Sequence, residues 1–182
     1  MTRYFVLLLL FVACQPKSPA HQSIPVTEDS TFLTGTFFVV RHAETESGKN
    51  PALSLQGQQR AGALYHLLKD SGIAKIYTTT YERSIQTADS MRLQLHLDTV
   101  FYAADTTGES LIYEISRHGD WGKRLLVIGH SNTLLPIIHT LKANPLVDSI
   151  GRADFSNLFI VHKYRDNSLL EHKHYEGYNG KR

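Results

Sequence analysis

At 182 residues, 42% hydrophobic and 20% charged with a net charge of +2, the chain has the composition of an ordinary globular protein. It is long enough to bury a core as one domain. A charge so near neutrality gives no electrostatic footing for nucleic acid as a partner, and a single cysteine excludes an internal disulfide. The ten histidines are many for this length, and they titrate near neutrality.

The N-terminal segment reads as something other than the domain. Thr2-Arg3 is a short basic region, and Tyr4 to Ala13 is an uninterrupted apolar run. A helix of that length would cross only about half of a ~30 Å hydrocarbon core, so it suits the apolar region of a secretory signal and not a membrane span. The run ends in Phe11-Val12-Ala13-Cys14, which resembles the lipobox of bacterial lipoproteins, with Phe11 in the place of the usual leucine. The resemblance implies a signal peptide over 1–13, lipid on Cys14, and export to a bacterial membrane on the periplasmic side or the cell surface. Residues 14–34, with Pro16, Pro19, Pro25 and several Ser and Thr, have too little apolar content to order themselves and read as a tether. The folded unit is expected over 35–182.

Thr36 to Val40 begins that unit as a buried strand, and Arg41-His42 follow where the backbone leaves the sheet. Glu46 to Asn50 is a polar loop. Ser54 is a plausible N-cap for a helix with Ala61, Leu64, Tyr65 and Leu68 on its inner face, closed at Gly72. A strand is expected over Ala74 to Thr79, then a weaker helix from Arg83 to about Leu93 with Ile85 and Ala88 inward. Leu97 to Tyr102 reads as a third strand and Glu109 to His118 as a helix presenting Leu111, Ile112 and Ile115. Leu125 to Gly129 is strongly strand-like, and Leu134, Ile137, Ile138 and Leu141 mark the next helix, with Pro136 tolerable near its start. Asn157 to Tyr164 and Leu169 to Tyr175 read as a hairpin turning at Asp166-Asn167. The alternation predicts an α/β three-layer sandwich, a mostly parallel sheet with helices on both faces. There is no dinucleotide or P-loop glycine fingerprint.

Three strand ends carry the chemistry. Arg41-His42 follows the first strand, Arg83 the second, and His130 the fourth. In a parallel sheet these ends share one edge, where ligands bind. Each residue alone has a dull explanation, a structural histidine or a surface arginine; their coincidence at three ends argues for a pocket. Fixed cations, with the backbone N–H groups of Ser131 and Asn132 at a helix start, suit an anion with several oxygens such as a phosphoryl group. Neighbouring arginine charge should keep an imidazole nitrogen unprotonated and nucleophilic.

These residues resemble the histidine phosphatase superfamily (phosphoglycerate mutase-like). Its Arg-His-Gly signature stands here as Arg41-His42-Ala43. Tyr77 to Ala88 is similar to its second motif, with Arg83 as the phosphate-binding arginine, and Val127 to Asn132 to the motif of the second histidine. The resemblance implies a phosphoglycerate mutase-like fold and a covalent phosphohistidine on His42. Arg41, Arg83, His130 and Ser131 would bind the phosphate, and no metal or organic cofactor would be needed. The substrate would be a small phosphorylated molecule or a phosphorylated protein. Larger members of the family often have an asparagine seven residues after the signature arginine, where Gly48 stands here. The proton donor of the family follows the third strand, where Asp105 and Glu109 are both candidates; for Glu109 a simple helix-dipole role serves equally well.

His172 and His174 share a strand face at a spacing a metal could use, but two ligands are a weak signal and a solvated face explains them better. Two other readings stay open beside a phosphatase. One is a mutase of the same fold, disfavoured because the stretch between Arg83 and His130 leaves little room for a cap. The other is a membrane-tethered module that binds an anion without turnover.

Overall fold

Residues 33–177 are described by the computed structural model; the expected signal peptide, Cys14 and nearly all of the expected tether lie outside them. The chain runs β1 (Gly35–Arg41), α1 (Leu55–Leu68), β2 (Lys75–Thr78), α2 (Glu82–Leu95), β3 (Thr99–Phe101), α3 (Glu109–Arg117), β4 (Arg124–Gly129), α4 (Leu134–Thr140), β5 (Asn157–Lys163) and β6 (Ser168–His174). The strands form one sheet in the order β3-β2-β4-β1-β5-β6. The pairs β1/β4, β4/β2 and β2/β3 are parallel, while β5 and β6 join antiparallel as the expected hairpin.

Both faces of the sheet are covered because successive side chains point to opposite sides of a strand. On one face Phe37 and Val39 of β1 pack with Leu111 and Ile115 of α3 and Leu134 and Ile138 of α4. On the other, Phe38 and Val40 meet Leu64 and Leu68 of α1 and Ala88 and Met91 of α2. This is the three-layer sandwich the alternation predicts. A continuous apolar β1 is thus a strand buried twice over.

Local signals account for most boundaries. Ser54 caps α1, its hydroxyl accepting from the Gly57 amide at 3.2 Å. The hairpin closes with the Tyr164 amide donating to the Asn167 carbonyl at 2.9 Å. Two expectations need correction. The strand expected over Leu97 to Tyr102 is only Thr99–Phe101, because β3 is an edge strand with β2 as its one partner. In α2 the buried face is Ser84, Thr87, Ala88 and Met91, leaving Ile85 half-buried. Two of those four are hydroxyl residues, so an apolar periodicity points one residue round the helix from the true inner face.

Candidate active site

Strand register builds the site. Arg41 sits opposite Gly129 in the parallel β1/β4 pair, and the His42 amide donates to the Gly129 carbonyl at 3.0 Å. The residues that follow, His42 and His130, therefore leave the sheet side by side, their ring centroids 5.2 Å apart. On the other flank of β4, Thr78 pairs with Ile128, which brings Thr79 to His130, with Oγ1 3.0 Å from Nε2. Arg83, in the first turn of α2, reaches the same ring with Nη2 3.4 Å from Nδ1.

Partners assign the imidazole tautomers. His42 Nδ1 lies 2.8 Å from the Ala43 carbonyl, which can only accept, so Nδ1 carries the proton and Nε2 is bare. Thr79 donates its hydroxyl hydrogen to Ser84 at 3.0 Å and accepts from His130 Nε2, which leaves His130 Nδ1 to accept from Arg83. Burial pushes the His42 imidazolium down to about 3, helped by charge on His130, Arg41 and Arg83 and opposed by the Ala43 hydrogen bond. Burial, then Arg83 and Arg41, lower His130 to about 4. Both rings are neutral at neutral pH, and His42 presents a lone pair.

Arg41 is held from the far end of the chain. Its Nη1 donates to the carbonyls of Gly151, Arg152 and Asp154 at 3.0, 2.9 and 3.1 Å. Its guanidinium lies 3.9 Å from the centroid of the Phe155 ring, which also meets His42 edge-on. Its Nε is buried with no partner. Burial lowers its pKa first, with Asp154 opposing and Arg83 adding to the effect. A buried cation with an unused donor suits an anion.

The loop between β1 and α1 is tied down on both sides. The Ala43 amide donates to Thr87 Oγ1 at 2.9 Å, and Glu44 pairs with Arg60 of α1 at 2.7 Å. Gly48 is exposed, while Asn50 Oδ1 accepts the Glu82 amide at 3.2 Å and so caps α2. Ser131 is half-buried in the turn after His130. There the Thr133 and Leu134 amides fold back on the His130 carbonyl, and those of Ser131 and Asn132 make no backbone hydrogen bond among the described residues.

The two proton-donor candidates make their hydrogen bonds elsewhere. Neither Asp105 nor Glu109 hydrogen-bonds to Arg41, His42, Arg83 or His130. Asp105 caps α3, Oδ1 accepting from the Thr107 and Gly108 amides and Oδ2 from the Ser110 amide. Burial alone would raise its pKa; hydrogen bonds from Thr107, Ser110 and Gly108 hold it below the usual carboxylate range. Glu109 is exposed in the first turn of α3. On β6, His172 stacks on Phe159 and meets Asn157 at 2.7 Å, and His174 meets Ser156 at 3.1 Å. No group of three metal-ligating side chains occurs among the described residues.

Thr79, Tyr81, Thr87 and the 151–155 segment are absent from the sequence reading of the site. Thr79 and Tyr81 lie inside the second motif and could have been weighed there. Nothing local marks Phe155, which reaches Arg41 only through the β1/β5 pairing.

Residues 37–104 match the family model of the histidine phosphatase superfamily, branch 1. Over that stretch, which carries Arg41, His42 and Arg83, the chain is similar to the superfamily. Solved structures that share the superfamily fold include YhfR of Bacillus stearothermophilus, at 17% identity and a TM-score of 0.58, covering 75% of this chain and 95% of that one. The alpha-ribazole phosphatase of Shigella flexneri gives 14% and 0.61, covering 81% and 100%. The protein histidine phosphatase SixA, solved with tungstate, gives 14% and 0.57, covering 76% and 96%. No curated protein matches the chain. The family match supports a phosphatase or a mutase.

Proposed function

We propose that the protein is a phosphatase that passes a phosphoryl group through His42 to water. The observation that carries this is the pairing of His42 and His130 at 5.2 Å, with the Arg83 guanidinium on the second ring and the buried Arg41 beside the first. The bare Nε2 of His42 attacks phosphorus, forming an N–P bond while the ester P–O bond breaks and its electron pair leaves on oxygen. Water then forms a new P–O bond, the N–P pair returns to Nε2, and inorganic phosphate leaves. Arg41, Arg83 and His130 face the oxygens on which charge gathers. Hydrolysis is favoured over mutase chemistry because β3 and α3 use up the chain between α2 and β4, with no further element to close over a substrate.

Brief exposure to labelled phenyl phosphate should leave acid-labile phosphate on the protein, and His42→Ala should abolish both the label and turnover. A His42→Ala protein that still takes up label would place the nucleophile elsewhere. An anion-binding module without turnover is the second reading, favoured by the capping role of Asp105. It would bind vanadate tightly and hydrolyse no aryl phosphate at any pH.

Export and a lipid on Cys14 complete the proposal, on sequence grounds alone. Labelled palmitate should enter the chain in a bacterial host and be lost in Cys14→Ser; equal labelling of both would refute lipidation at that residue.

A further inference from the structure

A cavity of about 460 Å³ lies between the ends of β2 and β3, beside the anion cradle. Thr79 and Tyr81 line it, and both touch His130: the hydroxyl lies 3.0 Å from Nε2, and the Tyr81 ring stands edge-on with 5.1 Å between centroids. Phe101, at the end of β3, and the small Ala103 and Ala104 supply further wall. Tyr81 is 41% exposed and Phe101 49%, so two large aromatic side chains keep apolar surface in water at this rim. Arg83 lies over the Tyr81 ring at 4.4 Å, joining the aromatic wall to the phosphate cradle.

None of the lining residues carries a charge. A carboxylate or second phosphate placed here would lose water and gain no ionic partner. A planar apolar ring would gain contact with the side chains of Tyr81 and Phe101. The lining also holds no carboxyl group to protonate a leaving oxygen. That favours a phenol, which departs as a stable phenolate, over an alcohol, which needs the proton.

We propose that this cavity is the subsite for an aromatic leaving group, so that the ligands of the site are phosphate monoesters of phenols, with Phe101 as a specificity residue. The inference deepens the phosphatase reading and rests on it for the placement of the phosphoryl group. In turnover, the P–O bond would break with its electron pair on the phenol oxygen, and the phenolate would take its proton from solvent in the open cavity.

Phosphonates separate the subsite from the chemistry because they are not hydrolysed. On the native protein, phenylphosphonate should bind about tenfold more tightly than ethylphosphonate by calorimetry. Phe101→Ala should cut that ratio to about twofold with ethylphosphonate affinity unchanged, which also reports that the variant is folded, and Phe101→Tyr should restore it. Equal affinities on the native protein, or a tenfold ratio surviving in Phe101→Ala, would overturn the proposal. A retained preference with no turnover of phenyl phosphate would uphold the subsite and count against hydrolysis alone.

Discussion

His42 and His130 are both buried, and their burial has a measurable consequence. Both are held neutral, at about 3 and about 4, against an ordinary value of 6.5. Above pH 6.5 neither the folded nor the unfolded chain protonates them, and they add no pH dependence. Between pH 6.5 and about 4 the unfolded chain binds protons that the folded site refuses. Stability therefore rises with pH across that window and falls as acid is added. Each such imidazole steepens the slope by up to about 1.4 kcal/mol per pH unit. Denaturant titrations at stepped pH should show the slope, and His42→Asn should flatten it. A variant as steep as the native protein would mean that His42 titrates like an exposed histidine.

At the scale of elements, the site depends on how closely α1 approaches the loop after β1. A Cβ on Gly57 would lie 2.0 Å from the Glu44 carbonyl oxygen, a group that also accepts the Ser54 amide at 3.0 Å. Backbone against backbone cannot yield as a side chain would. Gly57→Ala should destabilise the fold by ~1–3 kcal/mol and lower activity, because the loop displaced is the one that carries His42. Gly62, in the same helix with nothing within 4 Å of its Cβ position, is the control, and Ala there should be tolerated. Equal melting temperatures for the two variants would remove the packing argument. At the opposite end of the sheet, Asp120 is wholly buried among Tyr77, Lys75 and Lys123, at 2.6, 2.7 and 2.6 Å. Lys123 is a local i,i+3 partner, but only the β2/β4 pairing brings Lys75 and Tyr77 to Asp120.

Across the whole molecule, what could be read in advance was whatever short-range patterning encodes. Apolar runs and helical spacing marked all ten elements, and the punctuation of Ser54 and Asp166-Asn167 marked their limits, since burial of one face and turn chemistry are local demands. The positions of Arg41, His42, Arg83 and His130 at strand ends were legible for the same reason. Their meeting was not local: it needed Arg41 in register with Gly129 and β2 on the far side of β4. The tertiary structure alone decided that Phe155 braces Arg41, that Thr79 meets His130, and that Tyr81 and Phe101 line one cavity. Those contacts join segments distant in the chain, and no sequence period records which strands will be neighbours.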